Sequence, residues 1–508
     1  MSAQSIPRPE RVPPTRLGEL SALLAPGDRQ VTGTPEATVT GVTHDSREIR
    51  SGDLYAALPG SRSHGADFAA QAARAGAAAI LTDPAGRAAA EAAGLPALVA
   101  DDPRGVLGEV AARVYGDPTA HLAVLGITGT SGKTTTAYLA ESGLRAAGHV
   151  TGMLGTVETR VADDRVPSVR TTPEATDLQA LFAVMRERGV TAVAMEVSSH
   201  ALALGRVAGT RFATAAYTNF GQDHLDFHTD RDDYFAAKAR LFDGRAGAEV
   251  LNTDDPAVAV LARARPGAIT VSSRGEATWW AEDVWDDGPA QRFTVRGPGG
   301  LRLPGRVRLA GRFNVDNALL AIAALVATGV DPETAVRGVG DCAGVPGRLE
   351  RVTADGAPVF GVVDYAHKPD AVAAVLAALR PATAGRLLCV LGCGGDRDAG
   401  KRPLMGEAAA RGADVLVVTD DNPRSEDPAT IRAAMLTGAA RVPSAARAEV
   451  LELGDRAAAI AWAARAAEPG DTVAVLGKGH EPYQEVAGTV LAFDDREVLA
   501  TALREVYA

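Results

Sequence analysis

Gly126-Ile-Thr-Gly129-Thr130-Ser131-Gly132-Lys133-Thr134-Thr135 stands between an apolar run, HLAVLGIT, and an amphipathic stretch, TAYLAESGLRAAG. Glycines in such a loop let successive backbone N–H groups converge on phosphate oxygens, and the N-terminus of the helix behind it adds a favourable dipole. Lys133 is placed to reach the β- and γ-phosphates, and Thr134 to offer a hydroxyl to Mg²⁺. The strict phosphate-loop pattern wants glycine where Ile127 stands; the glycines fall instead at 126, 129 and 132, giving G-x-x-G-x-x-G-K-T. A plain glycine turn with an exposed lysine would need neither the strand before it nor the helix after it. A nucleotide is the first ligand to expect, and magnesium the second.

Two further groups follow. The run TAVAMEV ends in Glu196, with Ser198, Ser199 and His200 behind it. A carboxylate at the carboxyl end of a parallel strand faces the crevice where ligands bind, and hard cations prefer oxygen donors. Taken alone, Glu196 also fits an ordinary strand-end charge. The next strand leads into Thr218-Asn-Phe-Gly-Gln-Asp223-His224-Leu-Asp226-Phe-His228, then to Tyr234 and Lys238, which share a helix face at i and i+4.

Lysine is rare here. Of 52 basic residues only five are Lys (Lys133, Lys238, Lys368, Lys401 and Lys478) and the rest are Arg. A bias that fills ordinary surface positions with Arg leaves Lys where a compact ammonium or a reactive amine is needed, although chance retention accounts for some of them. Each of the five is therefore a candidate.

These residues need elements to hold them. Residues 17–117 alternate short β-like runs (VTGVTHDS, DLYAAL, AAILT, PALVA) with Ala-rich helical stretches, a small α/β unit. From HLAVLGIT onward, strands TAVAMEV, RFATAAYTNF, AEVLNT and GAITVSS alternate with helices, which predicts a parallel sheet covered on both faces. Residues 277–310 read as turn-rich antiparallel β-structure, and the helix NALLAIAALVATG follows. A third α/β unit, with strands RLLCVLG, ADVLVVTDD and DTVAVLG, runs from about 350 to the end. The expectation is an α/β protein of three domains: a small N-terminal α/β domain over 17–117, a central P-loop parallel sheet over 118–348, and a C-terminal Rossmann-like domain over 349–508. Residues 1–16, rich in Pro and Arg and without an apolar core, read as a disordered leader, not a signal peptide.

Composition narrows the class. A length of 508 residues asks for more than one hydrophobic core. No run of about 18 apolar residues occurs, so membrane insertion is not expected. Three cysteines, an odd number in a long chain, argue against a disulfide framework and for a reducing cytoplasm. A net charge of −11 argues against a nucleic-acid partner. A monomer is expected.

The order G-x-x-G-x-x-G-K-T, MEVSSH, TNxxxDHLDFH…Y…K resembles the Mur ligases and their relatives, the folylpolyglutamate synthetases. The resemblance extends over roughly residues 40–490 and adds Gly311-Arg-Phe-Asn314-Val-Asp-Asn317, Gly347-Arg348 and Asp364-Tyr-Ala-His367-Lys368-Pro-Asp370. It implies ATP contacts from Gly129, Thr130, Ser131, Gly132, Lys133, Thr134, Thr135, Asn314 and Arg348. It implies two magnesium sites, with Thr134, Glu196, His224 and Lys238 as ligands, and a Lys238 converted by CO₂ into a carbamate, an oxygen donor that no guanidinium can become. Asp45-Ser46-Arg47, Gly52-Asp53-Leu54 and Gly60-Ser61-Arg62-Ser63 resemble a uridine-nucleotide site, with Ser46, Ser61, Arg62 and Ser63 as contacts. Thr171, Thr172, Ser198 and Arg206 resemble contacts to a muramoyl peptide, whereas Leu204 stands where a polar contact would be expected and is left out.

Within the family, three C-terminal segments resemble the tripeptide-forming type: Gly392-Cys-Gly-Gly-Asp396-Arg397-Asp398-Ala-Gly-Lys401-Arg402, Asp421-Asn422-Pro423-Arg424, and Gly477-Lys478-Gly479-His480-Glu481-x-Tyr483-Gln484. They imply diaminopimelate contacts from Arg397, Asp421, Asn422, Pro423, Arg424, Gly477 and Glu481. Two guanidinium groups can take carboxylates and two carboxylates can take ammonium groups. Alone, Asp-Asn-Pro-Arg is only a turn signal. The dinucleotide reading of Gly-Cys-Gly-Gly fails because Arg397 occupies the third glycine position of that pattern. The implied reaction joins diaminopimelate to UDP-N-acetylmuramoyl-L-alanyl-D-glutamate at the expense of ATP, through an acyl phosphate. A folylpolyglutamate synthetase, a Mur ligase for another amino acid, and a P-loop protein that uses ATP for motion are the alternatives. The first fails to account for the N-terminal uridine-type segments, the second for the C-terminal ones.

Overall fold

The computed structural model describes residues 6–24, 30–166, 170–288, 290–353 and 357–507. The chain forms two compact units, Met1–Trp279 with Leu319–Val339, and Trp280–Ala318 with Gly340–Ala508. Among the described residues no helix is long and apolar enough to cross a membrane.

Besides a two-stranded pairing of Thr15–Arg16 with Thr38–Val39, two sheets shape the first unit. The smaller runs in the order Gln30–Thr32, Ala97–Val99, Ala79–Thr82, Asp53–Ala56, Gly41–Thr43; its last four strands are parallel. In the larger one, Ala123–Thr128 lies between Ala192–Glu196 and Phe212–Tyr217, parallel to both. These strands are almost continuously apolar and buried, as strands covered on both faces must be. The helix Ala175–Glu187 supplies one cover, burying Leu178, Leu181, Phe182 and Met185 at helical spacing against Met195 and Tyr217. The alternation expected for the central region is present.

The second unit carries the antiparallel strands Ala290–Gly297 and Leu301–Val307, where the sequence reads antiparallel β-structure. Arg306 ties this hairpin down, donating from Nε to Gly340 O (3.1 Å) and pairing with Asp341 (2.7 Å). Residues 280–318 group with the second unit. A six-stranded sheet follows in the order Glu350–Val352, Phe360–Asp364, Thr472–Leu476, Leu387–Leu391, Val415–Val418, Glu449–Glu452, all parallel except the first.

The leader reading does not hold for residues 6–16; residues 1–5 lie outside the described residues. Arg8 donates through both Nη atoms to the Asp53 carboxylate (2.8 and 2.7 Å) and reaches Val42 O and Tyr115 Oη. Ile6 packs against the central core, and the backbone N–H groups of Glu10 and Arg11 both donate to Glu187. Composition cannot reveal a partner 45 residues away. Asp53 is only 3% exposed, so removing Arg8 leaves a buried, unbalanced charge. Arg8→Met is expected to cost about 3 kcal/mol, seen as a lower urea midpoint by circular dichroism. An unchanged midpoint would show that this strap contributes nothing.

Candidate functional site

The phosphate-type loop leaves the carboxyl end of Ala123–Thr128 and enters the helix Lys133–Ala146. Gly129 (φ 138°) and Gly132 (φ 85°) occupy backbone conformations that side chains avoid, and a Cβ at 129 would collide with Thr218 Oγ1. Lys133 Nζ donates to the carbonyls of Gly129 (2.9 Å) and Thr130 (3.1 Å). Thr134 and Thr135 are buried in the helix's first turn.

The segment after Phe212–Tyr217 holds the loop from the side. Thr130 N donates to Asn219 O (2.9 Å), Ser131 N to Asn219 Oδ1 (3.0 Å), and Thr218 Oγ1 to Ser131 O (2.6 Å). Thr130 Oγ1 also meets Tyr234 Oη at 3.2 Å. Lys238 lies on the helix Arg231–Ala239, 1% exposed, with Nζ donating to Gly129 O (2.8 Å) and standing 4.5 Å over the Tyr234 ring. The i, i+4 pairing read from the sequence therefore exists, and it presses Lys238 against the nucleotide loop. Burial pushes the Tyr234 phenol well above its ordinary pKa, so it stays neutral.

Glu196 ends its strand 1% exposed, and Thr156 engages both its oxygens: Thr156 N donates to Oε1 (2.8 Å) and Thr156 Oγ1 to Oε2 (3.2 Å). Around it gather the expected peptide contacts. Thr172 Oγ1 donates to Glu196 O (2.9 Å), Ser198 N donates to Thr172 Oγ1 (3.1 Å), Thr171 meets Thr156 (3.0 Å), and Arg206 Nη1 donates to Thr172 O (3.3 Å). Arg206 pairs with Glu174 (2.8 Å), which Arg104 and Arg170 also approach at 3.8 Å. Burial and the neighbouring arginines pull the Arg206 pKa below its ordinary value. His224, at φ 53°, packs its ring against His200 at 4.7 Å and pairs with Asp223. Burial and the adjacent His228 hold the pKa of His200 below the usual histidine range. Among the described residues, no three His, Cys, Asp or Glu side chains converge into a ready-made metal cage. A hydroxyl and a buried carboxylate beside a phosphate-type loop are nevertheless the hard donors that magnesium takes, usually with phosphate and water completing its shell.

Ser46 and Ser61–Ser63 follow the carboxyl ends of the neighbouring parallel strands Gly41–Thr43 and Asp53–Ala56. Ser61, Arg62 and Ser63 are exposed in a loop closed by a bridge between Pro59 and His64.

In the second unit, the three C-terminal segments leave the carboxyl ends of three adjacent parallel strands, Leu387–Leu391, Val415–Val418 and Thr472–Leu476. They interlock. Gly395 N donates to Asn422 O (2.9 Å), Arg424 N to Glu485 O (3.0 Å), and Ala487 N to Arg424 O (2.7 Å). Asn422 Nδ2 donates to Glu481 (2.9 Å), and a Cβ at Gly477 would lie 2.7 Å from Asp421 Oδ2. Arg424 (φ 54°) is half-buried, with Nη1 donating to Gly395 O (2.7 Å) and Nε 3.5 Å from Glu485. Burial, with Asp421 close by, raises the Glu481 carboxyl, while Lys478 acts against the rise. Pro423 is buried between these loops; Arg397 is exposed beside them. Asn314 donates to Ala310 O (2.7 Å) at the start of its helix, and Arg348 stacks 4.4 Å over Tyr365.

Sequence reasoning missed Thr156 and Glu174. Gly155-Thr156 follows the strand Thr151–Leu154 beside Glu196's own strand, so the strand-end rule that selects Glu196 would have found it.

A nucleotide loop, a buried strand-end carboxylate and a buried lysine on the following helix, with a C-terminal parallel sheet, define the class, and the comparisons agree. The chain belongs to the Mur ligase family: residues 38–115 match the Mur ligase family catalytic domain, 127–325 the Mur ligase middle domain, and 347–479 the Mur ligase glutamate ligase domain. It is 58% identical, over 98% of each chain, to the UDP-N-acetylmuramoyl-L-alanyl-D-glutamate--2,6-diaminopimelate ligase of Streptomyces coelicolor. It is 50% identical, over 92% of this chain and 93% of the relative, to the ligase of the same name from Corynebacterium glutamicum. A solved structure of a ligase of that name superposes with a TM-score of 0.70 at 31% identity, covering 97% of this chain and 99% of that one.

Proposed function

We propose that this chain is the ATP-dependent ligase that adds 2,6-diaminopimelate to UDP-N-acetylmuramoyl-L-alanyl-D-glutamate in peptidoglycan precursor synthesis. The observation that carries the reading is the trio of interlocked loops presenting Arg424 beside Asp421, Asn422 and Glu481, with Arg397 at their edge. Guanidinium groups and carboxylates in one place suit a zwitterion with its own carboxylate and ammonium.

A carboxylate acylates poorly until its oxygen is made a leaving group. Gly129–Thr135 and Lys133 hold the ATP phosphates, with Asn314 and Arg348 as further nucleotide contacts. The γ-phosphoryl group passes to the D-glutamate carboxylate, the diaminopimelate amine attacks the acyl phosphate, and phosphate leaves; no side chain serves as a covalent nucleophile. Ser46, Ser61, Arg62 and Ser63 bind the uridine nucleotide, and Thr171, Thr172, Ser198 and Arg206 orient the peptide. Thr134, Glu196, His224 and a carbamate on Lys238 hold magnesium at two sites. The ion supplies positive charge that phosphoryl transfer requires. The Lys238 nitrogen keeps one N–H after carbamate formation, enough for its bond to Gly129 O.

Phosphate release with UDP-N-acetylmuramoyl-L-alanyl-D-glutamate and candidate amino acids tests the reading: release should need both the UDP-sugar peptide and diaminopimelate. ATP hydrolysis independent of the peptide would favour a P-loop motor or switch. Lysine lacks one terminal carboxylate, so its binding leaves Arg424 without the substrate carboxylate it would chelate, a cost of roughly 2–5 kcal/mol, or about 30- to 3,000-fold in kcat/KM. Arg424→Ala should lose most activity with diaminopimelate and gain little with lysine. Equal wild-type efficiency with both would remove Arg424 as the selecting group and leave the ligase assignment standing.

A further inference from the structure

Lys478 is one of the rare lysines that no part of the reaction above uses, and it is completely buried. Its ammonium donates to Asn422 Oδ1 (3.0 Å) and to Glu481 Oε2 (3.4 Å), lies 4.0 Å from Asp421 Oδ1, and stands 5.4 Å over the Tyr483 ring. Asn422 Oδ1 also receives the backbone N–H of Glu485 (3.0 Å), so Lys478 pins the asparagine's orientation and leaves its Nδ2 for Glu481. Burying a charge in this way is expensive unless it is matched. A neutral side chain could fill the space, so the charge itself calls for a reason.

We propose that Lys478 is a positioning residue that sets the charge of the ammonium pocket: it cancels one of two carboxylates, the buried Asp421 and the half-buried Glu481, so that the pocket holds a single net negative charge and accepts one substrate ammonium at neutral pH. This rests on the diaminopimelate reading of the three loops. Two close carboxylates away from bulk water favour the uptake of a proton by one of them unless a cation stands beside them. A protonated Glu481 cannot pair with an ammonium group. With Lys478 present, its ammonium offsets one of the two carboxylates and the incoming ammonium finds one uncompensated negative charge. Glu481 is the group to watch, because burial and Asp421 already push its carboxyl up and Lys478 opposes them. Other groups acting on it or around it include Tyr365, Tyr483, the Arg456 guanidinium, Arg424, Glu485 and His480, whose ring lies 5.2 Å from Tyr365. Arg456 is committed to Asp495 at 2.7 Å, both side chains 0% exposed, so it cannot take over the role of Lys478.

The test compares Lys478→Gln, which keeps a hydrogen-bond donor without the charge, and Lys478→Met, which removes both, with wild type. KM for diaminopimelate is measured from about pH 6.5 to 8.5, the range into which a buried carboxyl moves, and expressed as the ratio of variant to wild type so that the substrate's own titration cancels. Removing Lys478 raises the Glu481 pKa, so the ratio must be largest at low pH and fall as pH rises. About tenfold per pKa unit gives a ratio of about ten or more at pH 6.5, shrinking to within about threefold at pH 8.5, with KM for ATP and for the UDP-sugar peptide within about twofold of wild type. Adding Glu481→Gln to either variant returns the pocket to one negative charge and should flatten the pH dependence. A pH-independent ratio in both single variants, or equal rises in all three KM values, would overturn the proposal and make Lys478 a structural brace. Wild-type enzyme that releases no phosphate with diaminopimelate would instead refute the substrate reading on which it rests.

Discussion

Lys238→Arg is expected to turn over at least about a thousandfold more slowly than wild type although the positive charge is kept. The lysine is buried between the Tyr234 ring and the carbonyl of Gly129. At that point a guanidinium can keep the hydrogen bond but cannot form an N–C bond to CO₂, a step in which the amine gains a carboxylate and releases a proton. Losing an oxygen donor to a metal ion that neutralises phosphoryl charge removes several kcal/mol of transition-state stabilisation, and about 4 kcal/mol is a factor of about a thousand. The measurement is kcat at saturating substrates, with intact-protein mass in bicarbonate buffer to detect the CO₂ adduct. Lys238→Ala should regain part of its rate with short carboxylic acids, which supply the missing donor. Fully active enzyme carrying an unmodified amine would sink the carbamate.

The second large effect is expected at magnesium. Glu196→Ala and Thr134→Ala should each lower turnover by several orders of magnitude and raise the magnesium concentration needed for half-maximal rate. Glu196 anchors Thr156 as well as offering its charge, so Glu196→Gln separates the two roles: an amide oxygen can still accept from Thr156 N, while the anion is gone. If the charge matters, the Gln variant should be nearly as slow as the Ala variant. Rates plotted against magnesium concentration decide it. An unchanged magnesium requirement in both Glu196→Ala and Thr134→Ala would mean that the ligands are wrongly chosen.

The parts of this architecture that rest on local chemistry were legible from the chain. The nucleotide loop could be read because glycine spacing, an apolar strand and an amphipathic helix are neighbours in sequence. The i, i+4 relation of Tyr234 and Lys238 is likewise local, and the ring and the ammonium do meet. What escaped was long-range. Arg8 finds Asp53, Arg456 finds Asp495 and Lys478 finds Asn422 across 45, 39 and 56 residues. A Pro- and Arg-rich opening looks unstructured by composition because its partner is a strand elsewhere.

The interlocked loops of the second unit bear on how such a protein could change its amino acid. The three segments hang from a sheet whose strands need only be apolar, so that scaffold is indifferent to what the loops recognise. The loops, however, are not indifferent to one another: Gly395 admits no side chain because the carbonyl of Pro423 fills that space, and Arg424 is sewn by its backbone to Glu485 and Ala487. A point substitution in one loop disturbs the other two before it reshapes the recess. Altered preference should therefore travel as a cassette, with 392–397, 421–424 and 477–487 exchanged as a set, and lineages preferring another amino acid should differ at all three stretches together.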